Sequence, residues 1–411
     1  MLTENGHFVA IGGGQAAFQT ALSLRNAGFA GPISLICDEP EPPYQRPPLS
    51  KDYFKGALPL ERMFFKPRAW YEDQRVTLHL GVRAQALDPA AKRVTLSDGT
   101  VLTGEAILIA TGSRPARFDL PGADLAGVCE IRTLADIERL RPLAMPGRRA
   151  VVIGAGYIGL EAAAVLRQVG LEVTVLEAES RVLPRVTGPH MSAFFQELHA
   201  SHGVEIRTGG RPTAIEGENG FVSAVVMEDG ARLEADLVIV GIGIVPNQEL
   251  AEEAGLACNN GIVVDEDGHT SAHGIFAAGD CTNRPLTLCP SGRARLESVH
   301  NAIEQGKLVA AALMGLPRPA LDVPWFWSDQ YDVKLQIAGL SEGHDKAVVR
   351  EGSRPGSFSV FYLSGGALRA VDAVNAPADF MAGKRLIATG MPVDAERLAD
   401  PQVAVKSLLK P

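Results

Sequence analysis

The sequence predicts an α/β fold: two Rossmann-like dinucleotide-binding domains plus a small C-terminal α+β domain. Three observations carry that prediction. Gly12-Gly13-Gly14-Gln15-Ala16-Ala17 follows directly on the apolar run Phe8-Val9-Ala10-Ile11. Gly154-Ala155-Gly156-Tyr157-Ile158-Gly159 follows in the same way on Ala150-Val151-Val152-Ile153. From Val323 onward the composition changes, and Trp325, Phe326, Trp327, Tyr331, Phe358, Phe361 and Tyr362 gather there. Each glycine motif reads strand, tight turn, helix. The first glycine (Gly12, Gly154) allows the turn, and the second (Gly14, Gly156) lets the backbone approach a pyrophosphate. The third, Gly159, lets helix and strand pack closely, a place taken by Ala17 in the first copy. One fingerprint is a weak signal. Two in one chain imply two dinucleotides, and electron transfer between a nicotinamide and a flavin is the economical reason to hold both.

The elements follow in order. The first strand is followed by a helix over Gln15–Asn26, ended by Gly28, and by a strand over Ile33–Cys37. The Pro-rich stretch from Pro40 to Pro48 is too long for a plain connection, which marks it as functional. Strands are expected at Val76–Leu80 and at Arg93–Leu96, the latter before the turn Ser97-Asp98-Gly99-Thr100. The run 106–110 ends in Thr111-Gly112-Ser113-Arg114-Pro115. From Arg149 the pattern repeats: strand, glycine turn, a helix over Tyr157–Gln168, Gly170, a strand over 172–176, then Leu237–Val240. That last strand runs into Gly241–Asn247, the counterpart of the Thr111–Pro115 ending. The repetition indicates a duplicated nucleotide fold. A short strand ending in Gly279-Asp280 and a helix over 296–314 then return to the first domain. Alternating segments with turns such as Ser364-Gly365-Gly366 predict a small antiparallel sheet with flanking helices. The expected domains are 1–115 with 247–323 for FAD, 116–246 for NAD, and 324–411 as an interface domain.

The bulk properties fit this reading. A chain of 411 residues exceeds one ordinary core, and 46% hydrophobic residues is typical of a globular protein. No apolar run reaches membrane-span length. A net charge of −9 argues against general nucleic-acid binding. The five cysteines are scattered without metal-ligand or CxxC spacing, so a reducing, cytoplasmic setting is expected. Met1–Asn5 has no basic or apolar leader character, so no cleaved signal is expected. No metal site is expected.

The acid after each second strand separates the two sites. Glu177 can accept both hydroxyls of an adenine ribose and repels a 2′-phosphate, which favours NADH over NADPH. Positions 177–180 hold no arginine, although Arg181 is close. In the first unit the matching position is Cys37 and the acid comes one residue late, at Asp38, with Glu39 as its competitor. Glu161 falls within the first two turns of the second fingerprint helix, among small apolar residues, where a lone carboxylate is costly.

Five segments occur in a telling order: Arg46-Pro47-Pro48-Leu49-Ser50-Lys51, the 110–115 ending, Tyr157-Ile158-Gly159-Leu160-Glu161, Gly279-Asp280, and Pro324-Trp325-Phe326-Trp327-Ser328-Asp329-Gln330-Tyr331. Together they resemble the NADH-dependent ferredoxin reductases of cytochrome P450 and Rieske oxygenase systems, which have a glutathione reductase-like flavoprotein fold. The resemblance covers nearly the whole chain, and the tryptophan-rich run is its most specific part. It implies that Lys51 lies beside the flavin and pairs with Glu161, stabilising anionic reduced flavin, and that Glu161 also contacts the nicotinamide amide. It implies that Gly12, Gly14, Ala16, Ala17, Asp38, Arg46, Ala84, Thr111, Gly112, Arg132 and Val299 serve FAD. Asp280 would bind the ribitol chain, with a helix N-cap as its plain alternative. Trp327 would lie over or near the flavin, with a core tryptophan as its alternative. Gly154, Gly156, Ile158, Gly159, Glu177 and Gly243 would serve NAD. Lys307 and Lys406 match positions that contact a [2Fe–2S] ferredoxin, Trp327 marks where the flavin edge would come close to that docking surface, and Arg293 and Arg295 could extend the patch.

Glutathione reductase-type enzymes carry a redox cysteine pair near the flavin, whereas residues 38–55 here contain no cysteine. Electrons are therefore expected to leave the flavin directly, with Cys281 a buried filler. Two other readings share the fold: an NADH-sensing flavoprotein like apoptosis-inducing factor, and a reductase with a small-molecule acceptor, such as an NADH oxidase or monodehydroascorbate reductase.

Overall fold

The structure is a computed structural model and describes residues 2–409. The chain divides into two units. One comprises Met1–Gln45, Leu60–Arg114 and Val245–Pro324; the other comprises Arg46–Pro59, Pro115–Ile244 and Trp325–Pro411.

The first unit is built on a five-stranded parallel sheet. Its strands lie in the order Ile275–Ala277, Ala106–Ile109, Phe8–Ile11, Ile33–Cys37, Val76–Leu80. The central strands are buried along their whole length, as expected for a parallel sheet covered on both faces, and this is why they read as unbroken apolar runs. The fingerprint helix Gln15–Asn26 packs against Val299–Met314. A Cβ at Gly306 would lie 2.9 Å from Gln19 Cβ and 3.0 Å from the Ala16 carbonyl oxygen, so the two helices meet where only a glycine fits. Ala84–Asp88, Arg93–Leu96 and Val101–Thr103 form an antiparallel ribbon, with the turn at 97–100 as its second bend.

The second unit repeats the plan. Val204–Thr208, Glu172–Glu177, Arg149–Ile153, Leu237–Val240 and Val128–Cys129 form a parallel sheet. Helix Tyr157–Gln168 lies so close to its strand that a Cβ on Gly159 would stand 2.0 Å from the Gly154 carbonyl oxygen. Helix Pro189–Ser201 and a three-stranded antiparallel piece (Pro212–Glu218, Phe221–Met227, Arg232–Glu234) complete this half. The C-terminal sheet is antiparallel throughout, in the order Trp325–Gln330, Val333–Gly339, Ala367–Val374, Phe358–Ser364, Lys346–Glu351. Helix Pro377–Thr389 covers it at Gly383, whose Cβ would stand 2.8 Å from Val371 Cγ1.

The grouping departs from the sequence boundaries in two ways, and both have a physical cause. Residues 46–59 join the second unit because Ser50 and Lys51 bond Glu161 of its fingerprint helix. The C-terminal sheet joins it too, through Phe326 against Tyr157 (ring centroids 4.5 Å apart), Gln330 with His199, and Tyr362 with Gly188. Asp280 is no helix N-cap, since a strand, Thr282–Pro285, follows it.

A buried acid marks the contact between the C-terminal sheet and helix Pro189–Ser201. Asp372 is 1% exposed and accepts the Tyr362 hydroxyl at 2.8 Å, while that hydroxyl accepts the Gly188 N–H at 3.0 Å. Burial pushes the Asp372 carboxyl up to about 7. The folded chain therefore holds a proton here that the unfolded chain has already released at about pH 4. Stability falls as pH rises through that window, and the penalty is complete above pH 7. Asp372→Asn keeps an acceptor for Tyr362 and removes the charge. The variant should gain on the wild type between pH 5 and pH 8 by about 2 kcal/mol, read from urea midpoints at both values. An equal difference at both pH values would contradict this.

Candidate functional site

The glycine fingerprint of the second unit is open at its second glycine. Gly154 has φ +103° and its Cβ would meet the Gly241 carbonyl oxygen at 2.3 Å, so the turn requires glycine. A Cβ on Gly156 would meet nothing within 4 Å. Gly156 caps the helix with no side-chain hydrogen bond, leaving first-turn N–H groups for an anion. Glu177 ends its strand with Oε2 accepting the Ala155 N–H at 2.8 Å and Oε1 accepting the Glu179 N–H at 3.0 Å. Arg181, the nearby cation in sequence, is committed elsewhere: it donates to the Thr187 and Pro184 carbonyls, each at 2.9 Å, and to Ser192 Oγ at 2.6 Å. Ile158 is exposed at the helix start, and Gly243 has φ +118°.

The first unit offers the same cradle with one difference. Gly12 has φ +135° and its Cβ would lie 2.2 Å from the Ala110 carbonyl oxygen, while the space at Gly14 is open. Ala16 and Ala17 are buried against the sheet. Gly12 N–H bonds the Ile36 carbonyl as Gly154 N–H bonds that of Leu176, so Cys37 stands in register with Glu177. A Cβ on Gly13 would meet Cys37 Sγ at 2.9 Å, where the second unit has its carboxylate–amide bond. Burial pushes the Cys37 thiol up to about 12. Of the two competing acids, Glu39 accepts the Tyr44 hydroxyl at 2.5 Å, whereas Asp38 is exposed. Thr111 and Asn247 tie two loops together, Oγ1 to carbonyl at 2.6 Å and Nδ2 to carbonyl at 2.9 Å. Gly112 follows with φ +65°. Ser113 Oγ lies 3.1 Å from Asp280 Oδ2. Ala84 begins its strand and Val299 begins its helix, both half-buried. Two glycine cradles, each with uncapped helix N–H groups and an acid at or just past the end of the second strand, fit two dinucleotides.

The densest chemistry lies around Glu161, which is 2% exposed. Its Oε2 receives Lys51 Nζ and Ser50 Oγ, each at 2.5 Å. Its Oε1 receives Ser328 Oγ at 2.7 Å. Three donors from two segments thus converge on one carboxylate. Sequence reasoning found Lys51 and Glu161 but not the two serines. Both lie in the quoted runs, and a buried carboxylate demands more donors than one ammonium, but sequence cannot say which hydroxyls arrive. Arg46 donates to the Arg132 carbonyl at 2.6 Å, joining two more of the expected residues. Trp327 does not share the Ser328 face. Alternation along Trp325–Gln330 turns it the other way, half-buried, with its ring 5.6 Å from that of Trp325.

Comparison with known proteins agrees with this geometry. Residues 6–306 match the family described as pyridine nucleotide-disulphide oxidoreductase, and residues 325–409 match the reductase C-terminal family. The chain is 44% identical to rhodocoxin reductase of Rhodococcus erythropolis, over 97% of this chain and 93% of the relative. It is 42% identical to the 5,5'-dehydrodivanillate O-demethylase ferredoxin reductase subunit of a Sphingobium strain, over 97% of both. The crystal structure of the covalent putidaredoxin reductase–putidaredoxin complex superimposes with a TM-score of 0.95, at 41% identity and 98% coverage of each chain. The chain belongs to the ferredoxin reductases of the pyridine nucleotide-disulphide oxidoreductase family. None of its five cysteines is in a disulphide, and Cys281 is fully buried in the apolar core of the first unit, its thiol pushed up by that burial.

The candidate docking cations differ in freedom. Lys307 and Lys406 are exposed. Arg293 is held by the Val264 and Asn283 carbonyls, each at 2.6 Å, and Arg295 is paired with Glu297. The two arginines thus brace a loop. Among the described residues no cluster of side chains could hold a metal ion, and no helix is long and apolar enough to cross a membrane.

The Lys51–Glu161 pair makes a prediction about stability. Removing one member of a buried pair strands the other, at a cost of about 3–5 kcal/mol. Here the cost is smaller, because two serines remain and Lys51 is 19% exposed. Lys51→Met should unfold at lower urea than Lys51→Met combined with Glu161→Leu. Equal midpoints would show that the Glu161 carboxylate left without its ammonium carries no penalty.

Proposed function

We propose that this flavoprotein transfers electrons from NADH through FAD to a [2Fe–2S] ferredoxin that serves a cytochrome P450 or Rieske oxygenase. The observation that carries the proposal is the triply bonded Glu161 carboxylate, held to Lys51 in the second turn of the NAD fingerprint helix. The cofactors of this family are FAD and NAD(H), and the two fingerprints are where this chain takes them. When bound, FAD accepts two electrons from NADH as a hydride and gives them up singly. Relatives named as ferredoxin reductase components support the acceptor.

The chain's own residues supply placement and charge. Uncapped N–H groups after Gly14 and Gly156 receive the two pyrophosphates, and Asp38 and Glu177 receive the adenine riboses. Glu161 fixes the Lys51 ammonium, a localised positive charge suited to an anionic reduced ring, and offers a carboxylate to the nicotinamide amide. Asp280, Thr111, Gly112, Ala84, Arg46, Arg132, Val299 and Trp327 complete the FAD contacts in this reading. Residues 1–115 with 247–323 form the FAD domain, 116–246 the NAD domain and 324–411 the interface domain. Residues 38–55 hold no cysteine to store electrons, and Cys37, just before them in sequence, is buried in the core. Scattered cysteines in no disulphide accord with a reducing, cytoplasmic setting.

Stopped-flow oxidation of the NADH-reduced protein tests the proposal. Fast oxidation by a [2Fe–2S] ferredoxin is expected. Slow oxidation by every acceptor would instead mark a sensor, and fast oxidation only by a small molecule would mark a different reductase.

Two variants probe the parts. Glu177→Arg removes the charge that repels a 2′-phosphate, so the NADH-over-NADPH ratio of kcat/KM should fall by about tenfold or more. An unchanged ratio would remove Glu177 as discriminator. Lys307→Glu with Lys406→Glu should slow ferredoxin reduction most at low salt and spare ferricyanide reduction, since exposed charges act on association rate and salt screens them. Ferredoxin rates unaltered at low salt would exclude these lysines from docking.

A further inference from the structure

One buried polar side chain takes no part in the function just proposed. His199, on helix Pro189–Ser201, is fully buried, and burial lowers its ring to about 4, so it is neutral at pH 7. Its Nε2 lies 2.8 Å from Gln330 Oε1, and its Nδ1 lies 3.4 Å from the Tyr331 hydroxyl. Gln330 Nε2 lies 3.2 Å from Ser328 Oγ, which lies 2.7 Å from Glu161 Oε1. Strand alternation sets Ser328 and Gln330 on one face. An unbroken file of hydrogen bonds therefore runs from Tyr331 to the Glu161 carboxylate.

Chemistry fixes the direction of every bond in the file. An ionised carboxylate only accepts, so Ser328 must donate to Glu161. The serine oxygen then accepts from Gln330, which must turn its N–H groups that way. The amide carbonyl then faces His199, so the imidazole must carry its proton on Nε2. Nδ1 is left with a lone pair, which takes the Tyr331 hydroxyl proton. All four donors point toward Glu161, and bonds aligned in this way polarise one another. Tyr331 pays a local cost to be there. It has φ +56°, a conformation that disfavours any residue with a Cβ, and its ring stacks on His202 with centroids 3.7 Å apart.

We infer that Ser328, Gln330 and His199 are positioning residues: a one-way hydrogen-bond file that fixes the rotamer of the Glu161 carboxylate for its work at the nicotinamide. The last clause rests on the reductase reading; the file itself does not.

The test has two arms on the full-length, FAD-loaded protein. In the first, 15N NMR of histidine-labelled protein reads the His199 tautomer, assigned by its loss in His199→Gln. The Nε2–H form is expected in the wild type. Ser328→Ala cuts the file while leaving Ser50 and Lys51 on Glu161, and should populate the Nδ1–H form. A wild type in the Nδ1–H form, or a tautomer indifferent to Ser328→Ala, overturns the inference. In the second arm, stopped flow reads the limiting rate of flavin reduction at saturating NADH. His199→Leu and Gln330→Met should each slow it on the order of tenfold, and His199→Gln, which restores an N–H donor near the Nε2 position, should recover most of the rate. Equal rates in His199→Leu and His199→Gln overturn the positioning role. So does parallel slowing of photochemical flavin reduction, which needs no nicotinamide. If NADH does not reduce the wild type at all, the reductase reading fails, and the first arm still decides the file.

Discussion

A carboxylate that is 2% exposed on a helix of small apolar residues must be supplied with donors or the helix cannot sit where it does. Much of the second unit can be understood as the answer to that requirement. The Pro47–Ser50 turn delivers Ser50 and, directly after it, Lys51. The first C-terminal strand delivers Ser328 and leaves Phe326 on Tyr157. Segments more than a hundred residues apart in sequence are drawn to one side chain. The result gathers 46–59, the second glycine fingerprint and the C-terminal sheet into one unit. Local glycine geometry adds the second constraint: Gly154 and Gly159 crowd backbone atoms so closely that helix and strand meet in one way.

The two fingerprints show how one backbone plan takes two characters. Their registers agree residue for residue, from Gly12 against Ile36 to Gly154 against Leu176. At the next position one unit has Glu177 and the other Cys37. Glu177 reaches back to the Ala155 amide and so locks the acid to the turn. Cys37 only fills space beside Gly13, and the acid moves to the exposed Asp38. The first cradle is therefore shaped by packing and the second by a charged hydrogen bond. The family name refers to a disulphide, yet none of this chain's five cysteines is in one, two of them lie deep in the core, and a lysine–glutamate pair stands beside the proline-rich turn.

Sequence alone determined the parts whose signal is local. Both fingerprint helices begin and end where the glycine and apolar spacing put them, Gln15–Asn26 and Tyr157–Gln168, because turn glycines and strand-length apolar runs are read within a few residues. The buried parallel strands were legible for the same reason. The strand Pro212–Glu218 was not: it is mostly exposed, with Ile215 its only buried residue, so it carries no alternation to detect. Lys51 and Glu161 were legible only as separate motifs. That Ser50 and Ser328 meet the same carboxylate, that Arg293 is spent on carbonyls, and that Gln330 and His199 extend the file could be decided only by the fold. Those facts depend on which distant backbones approach within 3 Å, and a hydroxyl, an amide or a guanidinium reads the same in sequence whether it meets solvent or a buried partner.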